Sequence, residues 1–76
     1  MPDMQDESFQ RMRDLISTGI VYEDEFIDRY LKILRDEGFM YVFGENKHEA
    51  EILLSTLIEE SRDHKNDLER MYQTLR

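Results

Sequence analysis

NKHEAEILLSTLIEESRDHKNDLERMYQTL, residues 46–75, is the stretch that decides the fold. Positions 50, 54, 57, 61, 64, 68, 71 and 75 alternate steps of four and three, and hold Ala50, Leu54, Leu57, Ser61, His64, Leu68, Met71 and Leu75. That is the heptad rhythm of a helix lying against another helix. Ile52, Leu53, Ile58 and Tyr72 widen the stripe. Asn46 and Glu49 have the form of a capping box, the first accepting an orphan amide and the second reaching back. The pattern predicts a helix from about residue 46 to the C-terminus. Two polar residues, Ser61 and His64, stand in its seam where leucine would hold better.

Upstream, YEDEFIDRYLKILRDE, residues 22–37, carries a wide apolar face of Phe26, Ile27, Tyr30, Leu31, Ile33 and Leu34. Acids crowd its first turn, where the helix dipole favours them. A shorter pattern over residues 6–17 presents Phe9, Met12, Leu15 and Ile16, and Thr18-Gly19 is expected to end it. Gly38 is expected to stop or bend the second helix. FMYVF, residues 39–43, reads either as another helical turn or as a short buried connector, covering the end of the bundle or forming an interface, with the interface slightly favoured. No strand pattern is longer than this run.

The expected fold is therefore all-α. Three helices form one small domain over residues 1–76, a long antiparallel hairpin with a short N-terminal helix packed across it. Residues 1–5 are expected to lack fixed structure. A core this modest, with excess apolar seam, points to a homo-oligomer in which hairpins dimerise into a four-helix-type bundle.

Composition narrows the function. The 76 residues include no cysteine, which excludes disulfides and thiolate metal sites and makes an intracellular, cytoplasmic location the expectation. The formal net charge is -8, which repels phosphates and anionic lipid, so nucleic acid and membrane are not the expected partners. Charged residues make up 37% of the chain, yet 39% is hydrophobic, with four phenylalanines, four tyrosines and five methionines, enough for a core. The methionines fill core gaps unless they form an exposed face, which would signal a partner groove. His48, in the first turn of the last helix, reads as a solvated surface residue. No Gly-rich phosphate loop or nucleophile motif supports phosphoryl or acyl transfer.

Antiparallel pairing across the short connection makes His64 level with Tyr22 and Glu23. Glu23 lies three residues before Phe26 and seven before Tyr30, on the same helix face. Glu60 stands one turn before His64. Glu23, Glu60 and His64 thus form a candidate site between helices for a divalent metal such as iron, manganese or zinc, hard carboxylates with a borderline imidazole suiting iron or manganese best. A structural alternative is a histidine–carboxylate pair that fixes register.

Residues 23–75 resemble the helical hairpin of the ferritin-like superfamily, and rubrerythrins in particular. Glu23 stands seven before Tyr30, Asp36-Glu37-Gly38-Phe39 is similar to the family's helix ending, and His64 is followed by Leu68. The resemblance implies Glu23 and His64 as metal ligands and a second hairpin completing a di-metal site. Where the family has a glutamate three residues before the histidine, this chain has Ser61. The resulting expectation is a small ferritin-like protein binding iron, or manganese or zinc, between helices of a homo-oligomer. The alternative is a non-enzymatic acidic adaptor or regulator binding a protein partner, in the extreme an inhibitor imitating nucleic acid.

Overall fold

Helix formation here is continuous wherever neither proline nor an incompatible glycine intervenes. The computed structural model describes residues 4–75, which form α1 (Met4–Arg35), α2 (Phe39–Phe43), a 3-10 turn (Gly44–Asn46) and α3 (Lys47–Thr74). No strand occurs among the described residues. Residues 1–3, part of the segment expected to lack order, lie outside them, and Met4 and Gln5 are the first residues of α1. The long antiparallel hairpin is present as α1 against α3.

The separate N-terminal helix is not. The expected break at Thr18-Gly19 is absent, and the two upstream patterns are one helix of 32 residues. Gly19 has no positive φ, so it does not act as a left-handed cap. Its role is close approach: a Cβ placed there would stand 3.2 Å from Leu68 Cδ1 of α3. The missing side chain lets the two helices draw together at that level.

α1 ends where expected, before Gly38. Asp36 accepts a hydrogen bond from the Gly38 amide through its side chain at 2.7 Å, and its carbonyl accepts from Phe39 N–H at 3.0 Å. FMYVF resolves as one helical turn. Phe39 is buried and packs against Phe43 with ring centroids 4.8 Å apart, while Met40, Tyr41 and Val42 are exposed. Gly44, at φ 50, is the one position of this turn that needs glycine. The capping box does not form: Asn46 makes no side-chain cap bond. The 3-10 turn already engages the entering backbone, Lys47 N–H bonding to Gly44 O, so α3 is led in by the main chain.

The seam of α3 is rotated from the expected one. Ala50, Ile58 and Ser61 are buried, and Leu54, Lys65 and Leu68 are half-buried, whereas Leu57, His64 and Met71 are exposed. Ile16, Ile20, Glu23, Ile27, Tyr30 and Leu34 face them from α1, buried or half-buried. Ser61 belongs to the seam as a small residue between closely packed helices, and His64 flanks it. At the open end, Arg13 donates two hydrogen bonds to Leu75 O, at 2.6 and 3.0 Å, capping the C-terminus of α3 where cations are favoured.

The hairpin is long and thin, 63 × 16 × 12 Å, with a radius of gyration of 17.8 Å. A compact chain of this length would have about 11 Å. Among the described residues no side chain is fully buried, and the core is Ile16, Phe39, Ala50 and Ile58, with Ser61. No described helix is long and apolar enough to cross a membrane.

Candidate functional site: the Glu23–His64 layer and the face around it

α1 and α3 run antiparallel with Arg13 level with Leu75, Gly19 with Leu68, Glu23 with His64 and Asp24 with Lys65. The register read from the sequence is thus the observed one at Glu23. His64 Nδ1 lies 3.4 Å from Glu23 Oε1, an ion pair when the imidazole is protonated. The carboxylate is sheltered, its side chain 16% exposed, while the imidazole is 62% exposed. Geometry explains the difference: Glu23 is in the α1 seam, but His64 reaches it from the flank of α3.

On the opposite flank, Lys65 Nζ lies 2.8 Å from Asp24 Oδ1 and 3.9 Å from Glu69 Oε1. The hydrogen bond from Lys65 to Asp24, reinforced by that carboxylate's charge, raises the Lys65 pKa above its usual value. Sequence reasoning missed Lys65. Its signal was adjacency: the pair Glu23-Asp24 meets the pair His64-Lys65, one couple on each side of the seam.

Glu60 is not brought into the layer. It is exposed on α3, and among the described residues no group of three or more His, Cys, Asp or Glu is placed to hold a metal ion. One carboxylate and one imidazole are two donors, fewer than the three or four protein ligands that hold zinc and similar ions. The donor set of a single chain does not fit an iron, manganese or zinc ion. His48, as expected, is exposed.

The layer sits inside an apolar surface. At about 100° per residue, Leu15, Tyr22, Phe26 and Ile33 share one flank of α1, and Leu53, Leu57, His64 and Met71 share one flank of α3. Each of those apolar side chains is exposed. Two contacts put both flanks on the same side of the hairpin. Glu23 touches His64 there, and Met12 and Met71 line one open hollow of about 290 Å³ with Ile16, Thr74 and Leu75. Farther along α1, Phe26 and Tyr30 stack with ring centroids 6.3 Å apart. The face extends from the level of Met12 to that of Ile33 and Leu53, so the Glu23–His64 layer lies near its middle. Searches for a matching family model, curated protein or solved structure found none for this chain.

Proposed function

We propose that this chain is a helical interaction module, an acidic hairpin that acts by packing its apolar face against another helical surface and not by catalysis. The observation that carries the reading is that face: Phe26, Leu57 and Met71 stand in water on one side of a two-helix layer. Contiguous apolar surface of this kind marks interaction sites in soluble proteins. Exposed Met12 and Met71 add the adaptable side chains that partner grooves favour. The charged residues on the remaining surface keep the module soluble and suppress unspecific contact.

The test is site-specific photocrosslinking in living cells. A photoreactive residue at Leu57 is expected to yield a discrete covalent adduct, and the same residue at Val21, on another side of α1, none. Absence of any adduct from Leu57, with the protein folded and expressed, overturns the reading.

A second reading is supported by one specific contact, Glu23 with His64. In an oligomer that joins two such layers, two carboxylates and two imidazoles would supply enough donors for iron, manganese or zinc, in the manner of the ferritin-like resemblance. Elemental analysis of untagged protein tests it. If all three metals are absent, and added iron leaves the melting temperature unchanged, metal binding is not its function.

A further inference from the structure

Surface area shows how much the isolated hairpin leaves uncovered. The chain exposes 6406 Å², whereas a compact monomer of 9.3 kDa would expose about 5,000 Å². The excess, about 1,400 Å², is larger than the roughly 800 Å² that each partner contributes to a standard stable interface. The helices cannot reduce it themselves, because each already spends its seam on the other. That area is large enough for a standard interface along the face.

We propose that the occupant is a second copy of this chain, docked antiparallel, with the two-fold axis passing through the Glu23–His64 layer. This deepens the interaction-module reading and rests on it. Three features select the copy and its direction. First, the face is self-complementary in length about its centre: from the level of Glu23 it runs about 16 Å to Met12 and about 15 Å to Ile33. Second, exposed apolar side chains meet in both halves of an antiparallel arrangement, which places Ile33 of the second copy over Met12 and its Leu57 over Met71.

Third, α1 overhangs. Among the described residues α3 reaches the level of Arg13, so no described residue of α3 lies beside Met4–Arg11, and Phe9 is half exposed. In the antiparallel arrangement the turn end of the second copy, with exposed Met40, Tyr41 and Val42, lies against that overhang. In the parallel arrangement both overhangs project into solvent at one end. A homodimer in which each patch meets its own equivalent also needs no second gene product, the commonest form of soluble oligomer.

The experiment uses analytical ultracentrifugation and a cysteine pair, which the cysteine-free sequence makes clean. Wild-type protein at about 50 µM is expected to sediment at twice 9.3 kDa, as micromolar association of a standard interface implies. Leu57→Lys is expected to weaken dimerisation at least about tenfold, since it desolvates an unpaired charge, while Val21→Lys leaves it unchanged. The double variant Leu57→Cys/Met71→Cys cannot close on itself, its positions lying about 21 Å apart along one helix. Under oxidation it is expected to give a covalent dimer. A Leu57-dependent dimer that does not cross-link overturns the antiparallel docking and leaves the face intact as an interface. A folded 9.3 kDa monomer overturns the second copy as occupant, with the Leu57 photocrosslink then judging the module itself. A dimer indifferent to Leu57→Lys overturns both.

Discussion

Gly19→Ala is expected to stabilise the protein slightly, although the new methyl enters a tight contact. Two effects oppose each other. Alanine in a helix interior is favoured over glycine by about 0.8–1.0 kcal/mol. Against this, the added Cβ would meet Leu68 Cδ1 at 3.2 Å, a few tenths of an ångström inside ordinary contact. The atom that must yield is the far end of a half-buried leucine, which can rotate. The cost is then about half of the propensity gain, leaving a net stabilisation of about 0.5 kcal/mol, or roughly 2–4 °C in Tm for a domain this size.

Urea denaturation followed by circular dichroism, at one fixed protein concentration, reads the effect. Repeating the substitution in a Leu68→Ala background removes the clash, and the gain should rise toward the full value of about 1 kcal/mol. Gly19→Leu, in contrast, overfills the same gap and should cost about 1–3 kcal/mol. If Gly19 instead terminated a helix in the left-handed region, alanine would destabilise both backgrounds by about 1 kcal/mol. That outcome would refute the continuous α1.

Two further substitutions probe the seam. Ser61→Leu places an apolar residue in a heptad position, yet it should destabilise by about 1–3 kcal/mol, because the helices are too close for the added volume. Ser61→Ala should change the urea midpoint by less than about 1 kcal/mol. Lys65 gives a pH signature. Its pKa is raised in the folded chain, so the Asp24–Lys65 contribution is complete below the unfolded lysine value and is lost as pH rises through the higher folded one. The stability difference between wild type and Lys65→Met should therefore hold steady across neutral pH and shrink above the ordinary lysine value of 10.5; a constant difference at every pH would show that the pair contributes nothing.

The helical class, the hairpin, the stop before Gly38 and the pairing level of Glu23 with His64 were all legible in the sequence. Each depends on local pattern plus the length of a short turn. The role of Gly19 was not legible, because a helix-ending glycine and a helix-approach glycine look alike until Leu68 is placed beside one. The seam was ambiguous for a different reason. α3 carries two adjacent apolar stripes, one through Ile58, Leu68 and Tyr72 and one through Leu53, Leu57 and Met71, and periodicity does not say which faces α1. The choice moved His64 from the seam to its edge and kept Glu60 away from the Glu23–His64 pair. Lys65 was hidden by its charge, since its stem fills a seam position while its ammonium reaches Asp24.

The crossed couples, Glu23 with His64 and Asp24 with Lys65, act as a detent against sliding. Aliphatic side chains alone let one helix creep along another by a turn at little loss, because leucine meets leucine again. Here a slip one way sets Glu60 and Ser61 against the two acids of α1, and a slip the other way sets Asp67 and Leu68 there. Either displacement trades attraction for repulsion or for no pairing at all. Only one alignment lets both sides of the seam close together, so four ordinary polar side chains give a slender hairpin a single resting position.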